Sequence, residues 1–361
     1  MLKESLEIIK KIESCGFETY IVGGFVRDYI MNKSSYDVDI CTSAKPKDLI
    51  EIFNNAILPK EKYGSVTLHY KNIRFEITTF RKEMLYENRR PIEIEYSRSL
   101  IEDINRRDFT INSLCMNKEG VVIDMINGKE DIKKRIIKTI GNTDIKFIED
   151  PLRILRAIRF ATQLNFKLDQ ELINVIKMRG NLIKDLSYNR KKDELNKIFT
   201  NTNIRYGLKL LDSLNLSKYL ELNDINKVKI TTDVLGIWAQ LGVVDIYPFS
   251  KLERDTINII NKICNNKKIT RYELYNYGLY NVSIASEILG INKKTIVNLD
   301  KQLTIHSKKD IDISTNEICS VLNKEPGKWL KELYNDLELK ILYSKLENNK
   351  EKIKNYILKN Y

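Results

Sequence analysis

Two aspartates, Asp37 and Asp39, stand in the stretch SYDVDIC. Polar and apolar residues alternate from Tyr36 to Cys41, which predicts a strand, and residues i and i+2 of a strand face the same way. Two carboxylates a few ångströms apart repel unless a cation lies between them. A pair of Mg2+ ions would relieve that repulsion, and such ions activate a hydroxyl and steady a leaving pyrophosphate. Alone, the pair reads more readily as two solvated acids at a strand end. Just upstream, IVGGFVRD sets two glycines between a strand and a helix. Glycine lets backbone N–H groups come close to a phosphate, and a helix N-terminus favours negative charge. Arg27, in the first turn of that helix, can grip phosphate oxygens bidentately. The bland alternative is a tight turn with Arg27 and Asp28 as a surface pair. The succession of GG, RD and DxD is much rarer than any one of them. Glu76, in RFEITTFR, either faces the same pocket from a neighbouring strand or pairs with Arg74 or Arg81.

These groups need a scaffold. Leu2, Leu6, Ile9 and Ile12 recur at helical spacing and predict a helix over 2–14. Thr19–Val22 reads as a strand broken by Gly23–Gly24, and FVRDYIMN as a helix. Ser43 with Pro46 opens another helix through Phe53. Ser65–Tyr70 and Arg74–Phe80 are strand candidates on either side of Lys71–Asn72, and Ile92–Tyr96 adds a further one. Beyond about residue 130 the strand signals fade. Helical patterns then run to the end, broken near Gly141, Gly180, 201–203, Tyr247–Pro248, Gly290 and Pro326–Gly327. The expected class is α+β, with a mixed head followed by an all-helical remainder.

At 361 residues, with 42% hydrophobic and 30% charged, the chain has the size for two to four globular domains. No apolar run reaches the roughly 18 residues of a membrane span, so no membrane partner is expected. The amphipathic start, MLKESLEIIKKIESCGF, lacks the apolar core of a secretory signal. The net charge of +12 is spread along the chain, which suits contact with many phosphates of a polyanion, although a solvated basic surface gives the same total. Cys15, Cys41, Cys115, Cys264 and Cys319 are far apart and form no CxxC pair. That fits a reducing, cytoplasmic setting better than a disulfide framework or zinc site. His69 and His306 share no ligand spacing, so any metal here is a hard cation held by oxygen.

With these motifs in place, the chain resembles the class II tRNA nucleotidyltransferases and their bacterial poly(A) polymerase relatives, within the DNA polymerase β superfamily. VGGFVRD with DVD is similar to the first family motif, and RRDFTINSL (Arg106–Leu114) to the second. EDPLRILRAIRF (Glu149–Phe160) is similar to the fourth, and SYNRKKDELNKIF (Ser187–Phe199) followed by GLKLL to the fifth. EPGKWLKEL near the end resembles the tail of the longer bacterial enzymes. The resemblance implies metal binding and catalysis at Asp37 and Asp39. It implies nucleotide contacts at Gly24, Arg27, Arg107, Asp150, Arg153, Arg156 and Arg159, with Asp108 sensing the ribose hydroxyls. It implies a nucleotidyltransferase head with a mixed or antiparallel sheet over 1–135. A helical neck for nucleotide recognition over 136–205, a helical body over 206–275 and a tRNA-binding helical tail over 276–361 would follow. The implied activity is template-independent addition of CCA to the tRNA 3′ end from CTP and ATP, with two Mg2+ ions and release of pyrophosphate. A poly(A) polymerase, or an enzyme adding only CC or A, is built on the same motifs. Arg81–Pro91 fits the flexible loop linked in this family to the switch from C to A. Two stretches depart from the pattern. The third motif usually reads Asp-Pro-x-Gly-Gly and is linked to a hinge. Here it is Asp124-Met125-Ile126-Asn127-Gly128, and Asn189 stands in the fifth motif where an acid is common.

Asp150, Arg153, Arg156 and Arg159 recur every three residues on a predicted helix, where i and i+3 are neighbours. Each step drifts back by about 60°, so Asp150 and Arg153 share one spot while Arg159 points elsewhere, toward phosphate. A carboxylate accepts hydrogen bonds and a guanidinium donates them. Cytosine and adenine both carry an exocyclic amino group for Asp150 and ring acceptors for Arg153. Uracil and guanine present a carbonyl instead, which leaves the carboxylate unpaired, and a site built on such bonds rejects them. Without the other motifs, the same spacing would read as a helix laced with salt bridges. Lysines and tyrosines of the helical remainder, such as Lys191–Lys192, Lys267–Lys268 and Tyr272, Tyr275 and Tyr280, suit phosphates of an RNA stem, or else serve as core and interface residues. A non-catalytic RNA-binding protein on this fold is disfavoured by the intact acids at 37, 39, 108 and 150.

Overall fold

The computed structural model describes residues 1–35, 37–58, 64–87 and 90–361. They form two compact units, Met1–Leu220 and Glu221–Tyr361. The first opens with α1 (Leu2–Ser14), whose Ile8, Ile9 and Ile12 are buried. Next come β1 (Thr19–Val22), α2 (Gly24–Ile30), β2 (Asp39–Thr42), α3 (Pro46–Ile52), β3 (Ala56–Ile57), β4 (Ser65–Tyr70) and β5 (Ile73–Thr79). A hairpin of β6 (Arg81–Glu87) and β7 (Arg90–Tyr96) precedes α4 (Leu100–Asn105), β8 (Cys115–Met116) and β9 (Val122–Ile123). The sheet runs β3-β4-β5-β2-β1-β8-β9. It is mixed: β2 and β5 pair in parallel, and the other neighbours antiparallel. Leu100 and Ile104 of α4 pack on Val22, Cys41, Phe80 and Cys115 of the sheet region. Full burial of a side chain of this size stabilises by about 1.5–3 kcal/mol.

Helices then take over: α5 (Gly128–Lys134), α6 (Thr143–Glu149), α7 (Leu152–Leu164), α8 (Gln170–Arg179), α9 (Tyr188–Phe199), α10 (Ile204–Ser213) and α11 (Leu216–Tyr219). Two short strands, β10 (Ile136–Ile137) and β11 (Lys167–Leu168), pair in parallel among them. Asn142, Asp169 and Ser187 cap α6, α8 and α9 by accepting from backbone N–H groups of the first turn. Helix α7 buries Ile154, Leu155, Ala157, Ile158 and Ala161, and ends where Asn165 adopts φ 55°. The second unit is helical throughout: α12 (Val234–Gln240), α13 (Lys251–Asn266), α14 (Arg271–Leu289), α15 (Lys293–Lys301), α16 (Thr315–Leu322), α17 (Trp329–Leu342) and α18 (Lys350–Asn360). Its own core includes Ile305, Ile318, Leu333, Leu337, Ile341, Ile353 and Ile357. Among the described residues, no helix is long and apolar enough to cross a membrane.

Several expectations change. Tyr36 lies outside the described residues, and Asp37 precedes the strand that Asp39 opens. Residues 81–91, expected as a flexible loop, are backbone-paired in the hairpin, apart from Asn88 and Arg89, which lie outside the described residues. Alternation through Ile92, Ile94 and Tyr96 favours that pairing. Lys191 is 1% exposed, and its ammonium donates to the Lys184 carbonyl at 2.9 Å and lies 4.4 Å from the Tyr188 ring centre. It is therefore withdrawn from the surface that an RNA phosphate would meet. Tyr275 is partly buried against the core of the second unit, whereas Tyr272, Tyr280 and Lys267–Lys268 are exposed.

The third motif forms a tight turn into α5. Asn127 takes the left-handed φ of 62°, which asparagine tolerates better than most residues. Gly128 tolerates no side chain, because a Cβ there would lie 2.3 Å from the Thr110 carbonyl oxygen. Asp124 accepts from the backbone N–H groups of Gly128 at 2.9 Å and Lys129 at 2.8 Å, and so fastens the start of α5.

Candidate active site

The glycine turn after β1 is the first wall of a cleft of about 830 Å³. Gly23 has φ 82°, a conformation L side chains rarely adopt. Gly24 starts α2, and Arg27 one turn on is 3% exposed. Its Nη1 donates to Asn112 Oδ1 at 2.6 Å and its Nε to Asp28 Oδ1 at 2.9 Å. The Arg27–Asp28 pairing, weighed above only as the bland alternative to a phosphate grip, is present, but in the cleft lining rather than on the open surface.

Asp37 and Asp39 line the cleft beside this turn. Glu76 stands directly across from Asp39 in the parallel β2–β5 pairing. Solvent reaches Asp39, yet protein surrounds its carboxyl on most sides. Partial desolvation first, then the Asp37 charge, and Glu76 more weakly, push its pKa up to about 6 against the pull of Arg107. Asp37 and Asp39, which both line the cleft and carry hard oxygen donors, fit a divalent cation; among the described residues no third carboxylate, Glu76 included, joins them as a metal cluster.

Arginines line much of the cleft, and Arg107 comes close to the glycine turn itself. Arg107, expected from the second motif, is held by Asp103, which is 0% exposed: Nη2 lies 2.8 Å from Oδ2. Arg106 Nε donates to the other oxygen at 2.8 Å. Burial favours a neutral Asp103, but Arg107 and Arg106 outweigh it and lower the pKa. Burial likewise opposes charge on Arg107, and Asp103 more than offsets it, so the guanidinium pKa is raised. Asp103 also accepts from the Arg81 backbone N–H at 3.4 Å, while its neighbour Glu102 receives Lys82 Nζ at 3.2 Å and Ser97 Oγ at 2.5 Å. Helix α4 thus fastens the hairpin's root as well as two cleft arginines.

Asp108 accepts from the Phe109 N–H at 2.8 Å and from Arg156 Nε at 2.7 Å. Burial would raise its pKa, but the Arg156 charge prevails and lowers it. Asp150 is not on the helix expected to carry it: it precedes α7 in an extended conformation, φ −141°. Pro151 follows it and disfavours helical geometry at residue 150. Its carboxylate receives Arg190 Nη2 from α9, at 3.1 Å from Oδ1. Arg153 does not share its spot. That guanidinium donates to the carbonyls of Lys146 and Arg106 and to Glu149 Oε2, each at 3.1 Å. Arg159 pairs with Glu194 at 2.9 Å. All ten residues anticipated from the sequence line this one cleft. The sequence reading missed Arg106, Asn112, Phe160 and Arg190, which line it too. All four lie inside the quoted motifs. Their helical or loop context gave no spacing signal, and Arg190 meets Asp150 only through the packing of α9 near α7.

Residues 19–138 match the Poly A polymerase head domain family, 165–225 the probable RNA and SrmB-binding site of polymerase A, and 249–357 the putative tRNA nucleotidyltransferase domain 2. The CCA-adding enzyme of Listeria monocytogenes is 34% identical to this chain, over 98% of it and 97% of the relative. That of Staphylococcus haemolyticus is 31% identical, over 100% and 98%. The chain belongs to the CCA-adding enzyme family. The crystal structure of the Bacillus stearothermophilus CCA-adding enzyme in complex with CTP superimposes with a TM-score of 0.88 at 27% identity, covering 99% of this chain and 97% of that one. Membership of this nucleotidyltransferase family implies dependence on a divalent metal, which the acids of the cleft suit.

Proposed function

We propose that the chain adds C, C and A in turn to the 3′ end of tRNA, from CTP and ATP, in the cytoplasm. What carries the reading is one observation. The glycine turn, the acids Asp37 and Asp39, and the arginines with Asp150 share a single cleft in a chain closely related to CCA-adding enzymes. In this reading Asp37 and Asp39 hold two Mg2+ ions, which supply Lewis acidity for the 3′-hydroxyl and charge for the leaving pyrophosphate. Gly24 and Arg27 grip the triphosphate, joined by Arg107, Arg156 and Arg159. Asp108, fixed by Arg156, faces the ribose hydroxyls. Asp150, steadied by Arg190, accepts from the amino group common to cytosine and adenine, and Arg153 turns from its carbonyl partners to donate to the ring acceptors. Catalysis is then mainly positioning and charge neutralisation, with no covalent enzyme intermediate.

By function we divide the chain into a catalytic head over 1–135, a nucleotide-recognising neck over 136–205, a body over 206–275 and a tRNA-binding tail over 276–361. The deciding experiment gives the purified chain a tRNA lacking CCA, with CTP, ATP and Mg2+, and sequences the product ends. CCA is the expected outcome. A CC end, a lone A or a long A tract would make it a partial enzyme or a poly(A) polymerase, and unextended tRNA would remove the activity altogether.

A further inference from the structure

Phe160 ends the EDPLRILRAIRF stretch, and its ring, 7% exposed, forms part of the cleft floor. Three guanidinium groups gather around this one ring. Their central carbons lie 4.1 Å from its centre for Arg159, 5.5 Å for Arg156 and 5.7 Å for Arg27. Phe109 meets it edge-on, with centroids 5.7 Å apart and planes at 77°. Two of the arginines come from α7 and the third from α2, so the ring ties together side chains from separate elements.

Such a gathering of like charge opposes itself. The charged form of Arg159 is disfavoured first by burial and then, against the pull of Glu194, by the charges of Arg156 and Arg27. Each arginine has an acid partner of its own: Asp28 for Arg27, Asp108 for Arg156 and Glu194 for Arg159. What the three share is the aromatic ring, whose negative face attracts a cation within about 6 Å. An aliphatic residue of the same bulk would fill the space and leave the three arginines to their separate acid partners, without the one attraction they share.

We propose that Phe160 is a positioning residue that holds Arg27, Arg156 and Arg159 together as one cluster for the polyphosphate of the incoming nucleotide. The inference rests on reading the cleft as a nucleoside triphosphate site. It predicts that losing the ring weakens binding in proportion to phosphate charge rather than base contact.

The test is calorimetric titration of CTP and of CMP, in Mg2+ buffer without tRNA, into the wild-type chain and the variants Phe160→Met, Phe160→Leu and Phe160→Tyr. Methionine and leucine keep apolar bulk without a ring, and each should weaken CTP about tenfold while CMP changes less than about twofold. Tyrosine keeps the ring and should bind CTP like the wild type. The CMP titration counts competent sites, so partial unfolding cannot imitate a selective loss. Equal weakening for both ligands, unchanged CTP binding, or a tyrosine variant as weak as methionine would overturn the role of Phe160 and leave the triphosphate site standing. Failure of both ringless variants to fold would make Phe160 an ordinary core residue and overturn it likewise. A wild-type chain that binds neither ligand would sink the underlying reading of the cleft itself.

Discussion

Two sets of carboxylates at the cleft, Asp39 with its acidic neighbours and Asp103 with Asp108, are treated in opposite ways. Beside the glycine turn, burial and the charges of Asp37 and Glu76 push the Asp39 pKa up to about 6, against the pull of Arg107. Asp103, buried behind the lining, and Asp108, on it, are clamped by arginines and kept below the ordinary aspartate value of 3.8. A fold that can bring arginines to buried acids has the means to neutralise any of them. Where it sets acids against acids, they suit the divalent metal that membership of this family implies, and the arginines nearby suit an anion.

The strongest way to break this contrast is Asp39→Ala or Asp37→Ala. Nucleotide transfer should fall by about a thousandfold or more, because the cation site loses one of its two proposed ligands. Binding of tRNA, followed by filter retention, should stay within a few-fold. Unimpaired transfer in both variants would end the metal assignment. Next in size is Asp150→Ala. The kcat/KM preference for CTP and ATP over UTP and GTP should drop by about a hundredfold. An equal fall for all four nucleotides would mean that this carboxylate does not read the base.

The smallest effect probes the cleft arginines. Asp103→Asn removes the buried counter-ion of two half-buried guanidiniums and should lower stability by about 2 kcal/mol, read from urea midpoints at neutral pH. Its pH dependence has a definite sign. An aspartate whose pKa falls on folding contributes fully above its unfolded value, and that contribution is lost as pH drops through the folded value. The wild type should therefore lose stability as pH falls below about 4, and the variant should show a flatter curve there. Parallel curves would show that Asp103 is not the clamp described.

Period and punctuation announced the larger elements. Leu2, Leu6, Ile9 and Ile12 mark α1 to its ends, and Thr19–Val22 and Ser65–Tyr70 are strands with the expected bounds. The two-residue strands β8 and β9, which finish one edge of the sheet, are too short to carry a period. The cleft residues were visible as motif members, but their partnerships were not. Three-residue spacing suggested that Asp150 and Arg153 act side by side. Pro151 interrupts the helix between them, and Arg153 turns to the Arg106 carbonyl instead. Asp103 gave no sign at all. A buried acid that serves two arginines one turn ahead looks, in a linear text, like any charged residue on a short helix.

The anchoring of the hairpin at α4 has a mechanical corollary. A ribbon gripped at both root strands is a cantilever, so force applied at its tip is felt first where its ladder is weakest. The register shifts between Glu83 and Tyr86 mark that place, so a load on the ribbon would be relieved partly there before it reached the α4 anchorage.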